Sequence, residues 1–420
     1  MQQLHSTLNS EHITFKKVAI IGGGAAGFFC AAILAEKFNP NQITIFERAD
    51  NVLQKVKISG GGRCNVTHAS TEPKELIKNY PRGTKELLGP FYTFDTQNTI
   101  EWFESKGVQL KTEADGRMFP TTDSSQTIID CLWKATVLKG VVLKTRCGVT
   151  HFEKQVNQWK LTTDKGEFWA DALVIVSGSS QNFWNIITNV TNHTLVAPVP
   201  SLFTFNCLSP LLQNLSGVSV QNAEVKILES KFSATGPILI THWGLSGPAI
   251  LKLSAWGARW LHEKAYKFTI EINWKPGWNK DQAFEWLMLM KKQHPKKKLS
   301  TLNPELPSRL WYSLILNSVG NEERMLADLT NVILEKIAIT LTSTQLNING
   351  KSTFKDEFVT AGGIALNEID FKTFQSKLHP GLFFAGEVLN IDAITGGFNF
   401  QAAWTGGYLA AKGIEGYLEI

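Results

Sequence analysis

Four short apolar runs divide the chain, and each stops on glycine, serine or an acid. Val18-Ala19-Ile20-Ile21 gives way to Gly22-Gly23-Gly24-Ala25-Ala26-Gly27, and Ile43-Thr44-Ile45-Phe46 to Glu47. Ala172-Leu173-Val174-Ile175-Val176 gives way to Ser177-Gly178-Ser179-Ser180, and Leu382-Phe383-Phe384-Ala385 to Gly386-Glu387. Runs without polar alternation mark strands covered on both faces, which is the habit of parallel sheets. Helical spacing lies between them. Ala26, Phe29, Ala32, Ile33 and Leu34 give an apolar face after the first strand, Ile100 and Phe103 one over Thr99–Gly107, and Ile128, Ile129, Leu132 and Ala135 one over Ser125–Lys139. A long helix is predicted from Phe400 to Leu409.

Elsewhere the period changes to two. Val149 to Phe152, Trp159 to Thr163 and Gly166 to Ala170 alternate as a small antiparallel meander. Beyond Pro198 come short β-like pieces, including Leu202–Phe205, Ala223–Leu228, Ile238–Thr241 and Phe268–Ile272, and then mainly helical spacing from 280 to 340 with breaks at Pro295 and Pro304. About 195 to 350 therefore reads as an insertion with a β-rich and a helical part, after which the parallel-strand texture returns. Residues 1–16 read as a loose extension.

Composition narrows the class. A chain of 420 residues exceeds one ordinary core, so two or three domains are expected. Hydrophobic residues make up 43% and charged residues 19%, as in soluble globular proteins, and the net charge of +5 gives no argument for nucleic acid. The run Lys291-Lys292-Gln293-His294-Pro295-Lys296-Lys297-Lys298 reads first as a solvated linker. The five cysteines show no CxxC pair or metal-ligand spacing, which excludes a zinc framework. No stretch approaches the roughly 18 to 20 apolar residues of a membrane span, and the polar start has no secretion-signal pattern. The cytoplasm is the expected compartment.

The glycines carry the chemistry. In a strand, turn and helix unit Gly22 permits the tight turn, Gly24 lets the backbone approach a pyrophosphate, and Gly27 lets helix and strand pack closely. The helix from about Ala25 would aim its free amides at the phosphates. Glu47, 20 residues after Gly27, is placed for a ribose hydroxyl. Ile58-Ser59-Gly60-Gly61-Gly62-Arg63-Cys64-Asn65 offers successive amides, a fixed positive charge and a side-chain amide. At the far end Gly386-Glu387 is followed by Gly396-Gly397-Phe398-Asn399-Phe400-Gln401, which resembles the closing element of two-dinucleotide-type flavoproteins, where a strand end and a helix start flank the flavin. The two ends of the chain must then close on one ligand.

These segments, together with Gly116-Arg117-Met118-Phe119-Pro120, Thr241-His242-Trp243-Gly244-Leu245-Ser246-Gly247-Pro248 and Thr360-Ala361-Gly362-Gly363-Ile364, resemble the BaiN/RdsA-type flavoproteins, also known as the aminoacetone oxidase family. The resemblance spans nearly the whole chain. It implies an α/β fold: a two-dinucleotide-type FAD-binding Rossmann domain over 17–194 and 350–420, an inserted β-barrel-like domain over 195–275 and 335–349, and a helical subdomain over 276–334. It puts Gly22, Gly24, Ala25, Ala26 and Gly27 at the pyrophosphate and Glu47 with Arg48 at the adenosine ribose. Gly148 or Val149 would hold the adenine through its backbone. Arg63, Cys64 and Asn65 would lie near the flavin, with Gly386, Glu387, Asn399 and Gln401 around the ribityl chain and ring, and Gly61, Gly62, Ser177, Gly178, Gly397 and Phe400 are further expected cofactor contacts. The chain departs from the family pattern at Ser177-Gly178-Ser179-Ser180 and at Gln181-Asn182-Phe183-Trp184, on the substrate side.

The resulting expectation is an FAD-dependent oxidoreductase acting on a small organic substrate, by reduction of a carbon–carbon double bond or by amine oxidation. NAD(P)H is the candidate reductant, although no second Gly-x-Gly-x-x-Gly follows a strand. His242 and Cys64 are the candidate catalytic groups, with Glu387 a third acid or base. A metal is not expected, nor is a nucleic-acid partner. The alternatives are a flavin-carrying RNA-binding or regulatory protein with structural FAD, and an NAD-only dehydrogenase without tightly held FAD.

Overall fold

The computed structural model describes residues 16–320, 323–352 and 359–419. All but the last residue of the expected N-terminal extension lies outside the described residues. The apolar runs form one seven-stranded sheet whose strands follow the order Ile369–Asp370, Gln375–Ser376, Leu382–Phe384, Ala172–Ile175, Val18–Ile21, Ile43–Phe46, Val142–Lys144. The last five are mutually parallel, with Ile20 opposite both Val174 and Ile45, and Val174 opposite Phe383. The C-terminal strand thus sits one strand away from the N-terminal strand, which is the closure that the glycine segments at the two ends require. Every residue of the four expected runs between Val18 and Phe384 is buried apart from Thr44.

The helix Ala25–Leu34 is buried from Ala26 to Leu34, so it is packed on all sides and shows no amphipathic stripe. Its inner neighbour is the closing helix Phe398–Leu418, and a Cβ at Gly407 would lie 2.8 Å from Ala26 O. That closeness explains a glycine in mid-helix. Phe29 fills the space beyond, with its ring centroid 4.6 Å from Trp102 and 5.3 Å from Trp404. The closing helix continues well past the expected Leu409, because Ala410, Ala411, Ile414 and Leu418 prolong its buried side. The helix expected over 99–107 spans Thr96–Ser105, since Asp95 and Asn98 form a capping box, and the one begun at Ser125 ends at Ala135. The meander forms as Val149–Gln155, Gln158–Thr163 and Gly166–Ala170.

The chain leaves this domain along Leu195–Ser201 and returns along Val359–Ile364, and the two crossings pair antiparallel. Between them lies a second seven-stranded sheet, antiparallel throughout, whose order is Thr344–Asn349, Lys267–Asn273, Ser219–Ile227, Ser233–Thr241, Gly244–Ser246, Thr204–Asn206, Lys351–Ser352. Its two outermost strands are consecutive in the chain and separated only by Gly350. One chain segment can form both edges only if the sheet curls round on itself, which is the shape of a barrel-like domain. Strand pairing of this sheet reaches Ser352. The helices Lys280–Gln293, Ser308–Val319 and Asn331–Thr342 pack on it through a separate apolar core. Lys291 and Lys292 occupy the last turn of the first of these, where cations suit the helix dipole.

Candidate active site

At the C-terminal ends of the parallel strands a cleft of about 1320 Å³ opens. One wall is the first glycine turn. A Cβ at Gly22 would lie 2.4 Å from Val176 O, and one at Gly27 would lie 2.1 Å from Gly22 O, so both glycines are demanded by the close passage of strand, turn and helix. Gly24 differs: a Cβ there meets nothing within 4 Å. The space in front of it belongs to the cleft, and the free amides of the Ala25–Leu34 helix face the same way. Glu47 accepts from Gly23 N–H at 2.9 Å and from Ala49 N–H at 2.8 Å. Its carboxylate is held at the cleft wall with lone pairs left over for a ligand hydroxyl.

The far end of the chain supplies more of the wall. Gly386, Glu387, Thr395, Gly396, Gly397, Asn399 and Phe400 line the cleft together with Ser59, Gly60 and Asn65. The segments are tied together at Asn65, whose amide accepts from Gly397 N–H at 2.9 Å and donates to Thr67 O at 3.0 Å. Asn399 staples its own turn, accepting from Ala393 N–H at 2.9 Å. Glu387 forms an ion pair with Lys55 across the cleft. Ser177 lines it too, and its hydroxyl is buried without a hydrogen-bond partner among the described residues. An orphaned hydroxyl, an open space before Gly24 and a held carboxylate fit an elongated dinucleotide such as FAD.

Several expected contacts lie elsewhere. Arg63 turns away from the cleft: its guanidinium donates to Glu113 at 2.6 Å and stacks over Phe119 at 4.0 Å. Gln401 is buried beneath the cleft, accepting from Thr67 at 2.6 Å and Thr99 at 3.0 Å and donating to Thr405 at 3.1 Å. Gly27, Gly61, Gly62 and Val149 do not line the cavity, although Gly22, Gly24, Ala25, Ala26, Arg48 and Gly178 do.

Neither catalytic candidate lines the cleft. His242 is exposed at the turn between Ser233–Thr241 and Gly244–Ser246, outside the cleft wall. Cys64 is wholly buried, and burial pushes its thiol up to about 12, which suppresses the thiolate that redox chemistry needs. Cys64→Ala is therefore expected to leave flavin content unchanged, and the native thiol to resist iodoacetamide until the protein unfolds. Absorption spectra and mass spectrometry of the alkylated protein check both.

The structure adds residues that sequence reasoning passed over. His68 lines the cleft with its ring stacked on Phe398, accepting from Ser70 N–H at 3.0 Å while its other ring nitrogen meets Asp115 O at 3.2 Å. Both ring nitrogens are engaged, and burial lowers its pKa, which suits a residue that holds the wall. Lys55 carried no signal except its nearness to the Gly60–Gly62 turn. From the inserted domain come Leu202, Pro248 and Lys252, with Val359 on the returning strand. Of these Pro248 and Val359 fall in or at the edge of segments that carry the family resemblance, and Leu202 in one of the β-like pieces, whereas Lys252 lies in none.

Comparison with known proteins agrees with this architecture. The family described as HI0933-like protein Rossmann domain matches residues 16–413. A ribosomal RNA dihydrouridine synthase of Escherichia coli (strain K12) is 29% identical over 94% of this chain and 96% of its own length. A 3-dehydro-bile acid delta(4,6)-reductase of Clostridium scindens is 25% identical over 94% of this chain and 98% of its own. In overall fold the chain is similar to the 3-ketosteroid delta1-dehydrogenase of Sterolibacterium denitrificans, with a TM-score of 0.50 at 10% identity, covering 96% of this chain and 99% of that one.

Proposed function

We propose, from the premise that this chain belongs to the HI0933-like Rossmann family of FAD-dependent oxidoreductases, that it reduces a carbon–carbon double bond conjugated to a carbonyl. What supports the reading is the size and make-up of the cleft. Ligand pockets commonly measure about 300–1,000 Å³, and at about 1320 Å³ this one has room for a dinucleotide and a second molecule end to end. The Rossmann domain provides the dinucleotide half, and Leu202, Pro248, Lys252 and Val359 cover the other. The relatives named as a dihydrouridine synthase and as a delta(4,6)-reductase carry names for the same bond change, saturation of a C=C that is conjugated to a carbonyl in both products' precursors.

FAD, when bound, supplies the two-electron chemistry. The chain's own tasks are geometric and electrostatic. Gly24 and the following helix amides would hold the pyrophosphate, Glu47 the ribose, and Ser177 a cofactor oxygen. The closing helix would bring its positive end, at Gly397 and Phe398, to the ring, where negative charge collects on reduction. NAD(P)H would provide two electrons and one proton, and solvent the second proton, so that two hydrogens add across the double bond. The test is the visible spectrum of purified protein, anaerobic reduction with each nicotinamide, and reoxidation by a conjugated enone. Bleaching by NADH or NADPH and recovery of colour with enone are expected. A colourless protein, or reduced flavin that enones never reoxidise, overturns the reading.

A further inference from the structure

The cleft wall carries five cations, Arg48, Lys55, Lys78, Arg117 and Lys252. Lys55 pairs with Glu387, Lys78 with Glu75, and Arg117 with Glu113 and Asp115. Arg48 and Lys252 have no acidic partner among the described residues. Arg48 follows Glu47 at the dinucleotide end. Lys252 stands at the other end, on the helix Pro248–Trp256 of the inserted domain. It lies one helical turn after Pro248, and residues four apart share a face, so both present to the cleft. Leu202 and Val359 line the cleft as well, brought together by the pairing of Ser201 with Val359. Leu202 is held there in the left-handed backbone region, at φ 53°, a conformation that a leucine keeps only when its surroundings impose it. Beside Leu202, Pro248 and Val359 the cleft lining thus carries an ammonium with no acidic partner among the described residues.

We infer that Lys252 is a specificity-determining residue, which binds an oxyanion of the substrate while the apolar wall receives its body. This rests on the reading of the cleft as a reductase site. The chemistry required is one carboxylate or phosphate at the end of a conjugated, largely apolar molecule. The oxyanion could belong to an apolar acid or to a nucleotide, and paired probes distinguish them: a 3-oxo-4,6-diene steroid carboxylate against its methyl ester, and uridine 5′-monophosphate against uridine. Dissociation constants are read on the FAD-loaded protein from perturbation of the flavin spectrum, for wild type, Lys252→Gln and Lys252→Arg. The charged member of one pair is expected to bind roughly three- to tenfold more weakly to Lys252→Gln, as for one partly exposed charge pair. Its uncharged partner should not change, and Lys252→Arg should restore the affinity. Equal weakening of charged and uncharged probes, no change in either, or no probe that perturbs the flavin overturns the proposal. Turnover is scored separately. Charge-dependent binding without turnover sinks the reductase reading and leaves Lys252 standing, whereas turnover with charge-blind binding does the reverse.

Discussion

Gly24→Val is expected to give a folded protein that has lost its flavin. The reason is a contrast within one turn. At Gly22 and Gly27 an added Cβ would meet backbone oxygens at 2.4 Å and 2.1 Å, so substitution there disturbs the strand, turn and helix themselves. At Gly24 the backbone angles are −92° and −169°, open to any residue, and a Cβ has nothing within 4 Å. A branched side chain at that position costs the fold little and fills the space before the helix amides. Forcing such groups into an otherwise complementary site costs about 1–3 kcal/mol, which is roughly fivefold to 150-fold in Kd. Flavin content after purification should fall steeply while the circular dichroism and unfolding midpoint stay near those of FAD-stripped wild type. Gly24→Ala should be intermediate. Gly24→Val with full flavin content would remove the pyrophosphate from this turn. Gly27→Val, by contrast, should lose flavin and fold together.

The same contrast explains what could be read from the sequence. Parallel strands announce themselves because both faces are covered, so Ala172–Ile175 and Leu382–Phe384 appear as unbroken apolar runs. The glycine turns announce themselves because each steric demand is local. A side chain's direction is different. Arg63 sits in a glycine-rich loop where a cation could serve a ligand, yet its partner Glu113 is 50 residues away and nothing nearby in sequence foretells it. His242 lies in a marked motif but on an exposed turn, and Gln401 follows the flavin-flanking glycines but is spent on Thr67, Thr99 and Thr405. Lys252 escaped notice for the opposite reason: its place in the cleft depends on how the inserted domain leans over the first, a long-range matter. The expectation of a small organic substrate without nucleic acid meets a relative named for ribosomal RNA, so the paired probes carry that question.

How the two domains are held together leads to the second large effect. Arg82 and Asp392 form an ion pair whose side chains are only 12% and 1% exposed. Arg82 also donates to Ala255 O at 2.6 Å and Ser201 Oγ at 3.3 Å, and Ser201 donates to Asp392 at 2.8 Å. Asp392 belongs to the loop before the closing helix, and Ser201 and Ala255 to the inserted domain and its crossing strand, so one buried cluster joins the cleft's two halves. Arg82→Ala leaves a carboxylate buried without its cation and is expected to destabilise by about 3–5 kcal/mol at neutral pH. Burial already raises the Asp392 pKa, with Arg82 pulling it down, so the variant raises it further. A carboxyl whose folded pKa is raised binds a proton more readily folded than unfolded. Its contribution to stability is therefore fully present below the unfolded pKa and is lost as pH rises through the folded one. The deficit of Arg82→Ala should accordingly shrink as pH falls from neutral toward the carboxylate range, and Arg82→Met with Asp392→Leu together should cost far less than Arg82→Ala alone. Urea unfolding followed by tryptophan fluorescence across pH measures all three. A deficit below about 1 kcal/mol, or one that grows on acidification, would show that the pair carries no such load between the domains.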